Sequence, residues 1–144
     1  EDAARLLEIH DGKRIGFLGV TFKPATDDLR ESPTLELMAI LEARGQALKV
    51  YDPNLRFNDN LKGQIAYVRH ACPSQARVMD TIETIAVATI DDLVQNSDVL
   101  VVSHATDEFR RAVSGRDRRI HVLDLARLYK TLPENDPTYQ GIAW

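Results

Sequence analysis

Between Gly12 and Gly45 the chain reads as strand, loop and helix in unbroken succession, and no other stretch limits the fold as much. The run Ile15 to Val20 carries no charge, as a strand buried on both faces requires. Leu35 to Leu41 reads as the inner face of a helix. Ser32 is a good N-cap, Pro33 suits the first helical position, and Gly45 stands where a helix ends in a left-handed residue. These signals fix a strand-loop-helix unit, the opening of a right-handed βαβ crossover.

The remaining elements repeat that alternation. Leu48 to Tyr51, stopped by Asp52-Pro53, reads as the second strand, and Asn54 to Arg77 as a loop plus a short helix because its apolar residues follow no clean period. Thr84 to Thr89 reads as a β-branched third strand and Ile90 to Gln95 as a short helix. Asp98 to Ser103 is the fourth strand, Asp107 to Val113 a helix, Gly115 to Arg118 a turn, and Ile120 to Leu123 the fifth strand. Such alternation predicts a Rossmann-like, three-layer α/β/α sandwich with a parallel sheet in the order 3-2-1-4-5. Residues 1–11 read as the end of a linker helix from an upstream domain, and 12–144 as one α/β domain.

Length and composition agree with one globular core. The formal net charge of −4 and the scattered arginines argue against a nucleic-acid surface, and no apolar run reaches membrane-spanning length. The single cysteine, Cys72, precludes an internal disulfide and fits a reducing, cytoplasmic setting.

The loop after the first strand carries the chemistry. A helix N-terminus presents unpaired N–H groups and about half a positive charge, and Lys23 and Arg30 add two full charges to the same loop, a combination suited to phosphate or carboxylate ligands. Ligands on such sheets bind outside the carboxyl ends of the strands, near the point where strand order reverses, and this loop leaves the first strand there. The dinucleotide fingerprint G-x-G-x-x-G is absent, since Phe22 and Lys23 occupy the positions where glycines would admit a pyrophosphate. The chain therefore does not read as a main NAD site.

Phe22-Lys23-Pro24-Ala25-Thr26-Asp27-Asp28-Leu29-Arg30-Glu31-Ser32-Pro33, preceded by Leu18-Gly19, resembles the signature that opens the C-terminal domain of the UDP-glucose/GDP-mannose dehydrogenases. Val50-Tyr51-Asp52-Pro53, Ser97 to Val102 with Glu108-Phe109-Arg110, and Asp124-Leu125 fit the same pattern, and Tyr139 to Trp144 is similar to the ending of the GDP-mannose branch. The resemblance implies a nucleotide-sugar-binding domain of an NAD-dependent enzyme that oxidises the C6 alcohol of GDP-mannose or UDP-glucose to a carboxylate through a thiohemiacetal and thioester. It implies that Lys23 contacts the nucleotide sugar and that Arg30 reaches toward NAD held by another domain. Phe22 either packs beside the ligand or supports the loop from beneath. The catalytic cysteine and main NAD site would lie outside this stretch, so no residue here is assigned a catalytic role and the chain alone is expected to be inactive. The parent is expected to be a homo-oligomer, and this domain a monomer or weak dimer.

Other readings remain beside it. A stand-alone nucleotide-binding or regulatory module would need no dehydrogenase partner. A response-regulator-like domain would want an acidic pocket where Phe22-Lys23 stands. Asp52 could imitate the acid that binds a ribose, yet it reads better as capping the turn before Pro53. Asp27 and Asp28 read as salt-bridge and turn partners within the loop rather than as paired catalytic carboxylates. His10, His70, His104 and His121 fall on separate elements without metal-ligand spacing, and Cys72, before Pro73 in the least regular segment, does not read as part of a nucleophile-base arrangement. Arg127 lies one residue beyond the place where many UDP-sugar members carry an arginine after the aspartate, a departure that leans toward the GDP-mannose branch and leaves a ligand contact open.

Overall fold

In the computed structural model, residues 2–21, 28–30, 32–55 and 58–142 are described. The chain enters through a short helix, α1 (Asp2–Leu6), and a 3-10 turn, Leu7–His10, then forms β1 (Arg14–Leu18), α2 (Pro33–Ala43) and β2 (Ala47–Tyr51). Next come α3 (Asp59–Ala71), α4 (Ala76–Ile85), α5 (Ile90–Gln95), β3 (Val99–Val102), α6 (Asp107–Ser114), β4 (His121–Asp124) and β5 (Tyr139–Gly141). The sheet runs β2-β1-β3-β4-β5 with every pairing parallel. The expected order holds, with the expected third strand reduced to a single parallel bridge between Ala86 and Val50 at the β2 edge.

Alternation along each strand divides the interior into two cores. Ile15, Phe17, Val50, Val99 and Val101 face α1 to α4, where Leu35, Met38, Val78 and Ile82 cover them. Leu18, Leu100, Val102 and Val122 face the other way onto Leu93 of α5 and Phe109 and Val113 of α6. At 0 % exposed, Phe17 and Phe109 mark the centres of the two layers. Gly16 lets α5 close on the sheet, because a Cβ there would stand 2.2 Å from Ser97 Oγ.

Two expectations are corrected. The segment read as a loop plus short helix holds the 13-residue α3 and opens α4, and Thr84 and Ile85 finish α4 instead of opening a strand. The reason is spacing: Leu61, Gln64 and Val68, then Val78, Met79 and Ile82, each form one buried helical stripe. The Asn58 side chain accepts a hydrogen bond from the Leu61 N–H to start α3. Beyond the expected fifth strand, β5 extends the sheet. Its Tyr139 hydroxyl bonds to Asp124, and the buried Arg116 ties the segment before it through Asp136 (3.0 Å) and Thr138 (2.9 Å).

The entry segment docks on the β4 side, with the rings of His10 and His121 4.8 Å apart. Burial first, then His121 and Lys13, hold the His10 pKa below its ordinary 6.5. The unfolded chain therefore binds this proton more tightly than the folded one, so stability is intact above about pH 6.5 and declines as pH falls beneath it. Asp98 and Asp117, held low by hydrogen bonds from Arg14 and Arg119, lose their contributions only as pH falls below their ordinary 3.8. Urea unfolding at about pH 5.5 should show a lower midpoint than at about pH 7.5, and His10→Gln should shrink that difference. An unchanged difference in His10→Gln would assign the slope to other groups.

Candidate functional site

Where β1, β2 and β3 end, side chains from the outer two strands grip the chain leaving the central one. Asp52, just past β2, accepts hydrogen bonds at Oδ2 from the Val20 N–H (2.9 Å), the Thr21 N–H (3.1 Å) and the Thr21 hydroxyl (3.0 Å). Its Oδ1 accepts the Asn54 N–H at 2.9 Å, so the turn-capping reading is correct, and the grip on Thr21 is an addition to it. His104, just past β3, holds Thr21 from the other side. Its Nε2 lies 2.9 Å from the Thr21 carbonyl oxygen and must carry the hydrogen, while Nδ1 lies 3.9 Å from Asp52 Oδ2. The Asp52 and His104 side chains are 0 % and 4 % exposed.

The sequence around the grip is shaped to allow it. Gly19 adopts φ +93°, and a Cβ there would sit 2.6 Å from His104 Nδ1, so the position needs glycine for both backbone and space. Ser32 occupies the N-cap position of α2, but its hydroxyl donates to the Val20 carbonyl at 2.7 Å and makes no capping bond. The first amides of α2 are thus left without a side-chain cap.

Between that helix end and the rim lies a cleft of about 330 Å³, lined by Thr21, Thr34, Glu36, Leu37, Ser103 and Leu125 among others. Ser103 Oγ is buried and has no hydrogen-bond partner among the described residues. A larger cleft, about 730 Å³, opens at the amino ends of the strands and includes Arg14, Asp98, Asp117 and Arg119. Three of the four arginines that line it are engaged with carboxylates, Arg14 with Asp98, Arg116 with Asp136 and Arg119 with Asp117, and it lies at the end of the sheet away from the loop. The smaller cleft is the better site, since it has the uncapped helix end and the unpaired hydroxyl.

Phe22 and Lys23 lie outside the described residues, between Thr21 and Asp28. Arg30 stands at the far end of the loop. Its Nε and Nη2 donate to the two carboxylate oxygens of Asp28 at 3.0 and 3.1 Å, and this hydrogen bonding holds the Asp28 pKa below its ordinary value. Asp28 is therefore a loop partner of Arg30, as the spacing predicts. Leu29 between them is fully buried, and its N–H donates to Gln64 Oε1 of α3 at 2.6 Å. Arg127 has φ +53° and is exposed, while the amides on either side of it, Ala126 and Leu128, donate to Asp124 at 2.9 and 2.8 Å. Cys72 is exposed at the end of α3. Among the described residues, no group of three or more His, Cys, Asp or Glu side chains is placed to hold a metal, and no helix is long and apolar enough to cross a membrane.

Residues 16–131 match the UDP-glucose/GDP-mannose dehydrogenase family, UDP binding domain. The chain belongs to this family. GDP-mannose 6-dehydrogenase of Pseudomonas putida is 27% identical over 144 residues, which is 100% of this chain and 31% of that protein. UDP-glucose 6-dehydrogenase of Bacillus subtilis is 30% identical over 91 residues, 63% of this chain and 17% of that protein. A ternary complex of GDP-mannose dehydrogenase from Pseudomonas aeruginosa superimposes with a TM-score of 0.74 and 28% identity, covering 99% of this chain and 30% of that one. The chain spans about a third of the length of the GDP-mannose 6-dehydrogenases it matches.

For this family member, sequence reasoning found the loop but not its supports. Ser103 ends the strand read from the sequence and His104 follows it, yet nothing in their spacing shows that one lines the cleft and the other reaches Thr21. A small residue at Gly19 was the available signal. Gly19→Ala should cost about 2–4 kcal/mol in unfolding free energy, from left-handed backbone strain plus the clash with His104. Gly45→Ala, at φ +79° with nothing within 4 Å, should show the strain alone, about 1–2 kcal/mol. Equal losses in the two variants would remove the packing argument.

Proposed function

We propose that this chain is the nucleotide-sugar-binding part of an NAD-dependent nucleotide-sugar 6-dehydrogenase acting on GDP-mannose or UDP-glucose. The observation that carries the reading is the cleft where the uncapped start of α2 and the unpartnered Ser103 hydroxyl meet. An anionic diphosphate satisfies both, accepting from the helix amides and the hydroxyl, and the helix dipole favours its charge. Glu36 in the same turn is exposed, so solvent screens its opposing charge. Lys23 supplies a point charge to the sugar or to the carboxylate formed at C6, with Phe22 beside it. Arg30, with its planar fork, reaches toward NAD.

The β1 exit does not fit NAD itself. Gly19 is followed by Val20 and Thr21, whose backbone amides are already engaged by Asp52, so no glycine cradle is offered to a pyrophosphate. The hydride acceptor and the catalytic cysteine belong to other parts of the parent enzyme. What these residues supply is one wall of the cleft, binding and orienting the nucleotide sugar and keeping water from it.

Calorimetric titration of the chain with GDP-mannose and UDP-glucose tests the reading. Binding of at least one is expected, weakened roughly three- to tenfold by Ser103→Ala and roughly ten- to a hundredfold by Lys23→Ala. Incubation with NAD and either sugar should yield no NADH. Absence of heat with both nucleotide sugars would overturn the assignment of the cleft, and sustained NADH formation would overturn the assignment of the chain as a binding part only.

A further inference from the structure

Thr21 is a wall of the cleft, and every polar group it has is held from behind. Its N–H and hydroxyl donate to Asp52 Oδ2 at 3.1 and 3.0 Å, and its carbonyl accepts from His104 Nε2 at 2.9 Å. Both partners are buried, and neither lines the cleft. A buried carboxylate and a buried imidazole are expensive components for a turn that only connects two elements. They also converge from different strands on one residue, directly before the loop that carries Phe22 and Lys23. His104 is further fixed by Phe109, whose ring stacks on it with centroids 6.4 Å apart and planes at 17°.

We infer that Asp52 and His104 are positioning residues for nucleotide-sugar binding, forming a two-sided clip that sets where Thr21 stands relative to Ser103 and the α2 amides. The inference rests on the nucleotide-sugar reading of the cleft. It assigns the pair no contact with ligand. His104 serves through one N–H aimed at the Thr21 carbonyl, so a side chain that restores such a donor restores the wall.

The test compares His104→Leu, which removes the donor, with His104→Gln, whose amide N–H can reach the same carbonyl. Ile82→Val in α4 is the control, a change in the opposite core that lowers stability without touching the clip. In calorimetric titration with GDP-mannose and with UDP-glucose, His104→Leu should weaken binding roughly tenfold, His104→Gln should recover most of it, and Ile82→Val should leave it within about twofold. In the ligand-free chain, the Thr21 amide should exchange faster in His104→Leu than in His104→Gln. Equal affinity in His104→Leu and the unsubstituted chain overturns the inference, as does a His104→Gln no better than His104→Leu. If the unsubstituted chain binds neither nucleotide sugar while Thr21 exchange still responds, the clip stands and the reading of the cleft falls. Should His104→Leu not fold, Thr21→Val against Thr21→Ser poses the same question through Asp52, with the serine variant expected to keep affinity and the valine variant to lose roughly threefold or more.

Discussion

The Asp52 carboxylate solves the problem that every central parallel strand meets at its carboxyl end. Past Leu18 the chain must leave the ladder, and amides that lose their strand partners cannot stay buried unpaired. Two further backbone bonds carry the ladders slightly beyond the strands: Gly19 N–H reaches the Tyr51 carbonyl and Ser103 N–H reaches the Leu18 carbonyl, both at 2.9 Å. After that, Asp52 takes over, gathering the next two amides and one hydroxyl on a single oxygen. The desolvation of the charge is offset because its acceptor positions are filled by donors held in place by the sheet. The rim and the cleft wall at Thr21 both follow from this one carboxylate.

The same economy of space governs β1. Ile15 and Phe17 pack into one core and Leu18 into the other, and on the α5 side the strand carries Gly16 where a side chain would strike Ser97. Close approach there allows the Ser97 hydroxyl to bond back to the Leu93 carbonyl at 2.6 Å and brings the end of α5 against the sheet. Gly19 then repeats the device at the rim, admitting the His104 ring. Two missing side chains on one strand thus set how near the second layer comes and where the site's support stands.

Much of this was legible in the order of residues. Charge-free runs at Ile15 and Val99 give the central strands, since only a strand covered on both faces lacks polar positions altogether. Ser32-Pro33 and Gly45 bound α2 correctly, although the serine hydroxyl serves the loop instead of the helix. The region from Asn58 to Ile85 was not legible as helices because its stripes are narrow: Leu61 and Val68 are joined by a buried glutamine, and β-branched Thr84, Ile85 and Val87 imitate a strand where α4 ends. Contacts between distant elements were invisible for a plainer reason. The pairing of Asp52 with Thr21 spans 31 residues and that of His104 with Thr21 spans 83, and no local period records either.

Charge is distributed so that the candidate site depends on few free cations. At the amino ends of the strands and around β5, Arg14, Arg116 and Arg119 are each neutralised by an aspartate, and Arg116 is buried with four hydrogen-bonded groups about it. In the nucleotide-sugar reading, a chain of net charge −4 repels a diphosphate at long range, and the attraction is local, from the α2 amides and from Lys23 and Arg30. Arg30 forks onto Asp28, yet both are partly exposed, at 55% and 33% of their side-chain surface. Such a pair contributes about 0–1 kcal/mol, whereas a charge-assisted bond to a buried ligand contributes about 1.5–3 kcal/mol. Asp28 thus holds Arg30 in an ordered position at the end of the loop. Leu29, buried and bonded to Gln64, anchors the backbone between the two charged residues, so their order rests on the core and not on the ion pair alone.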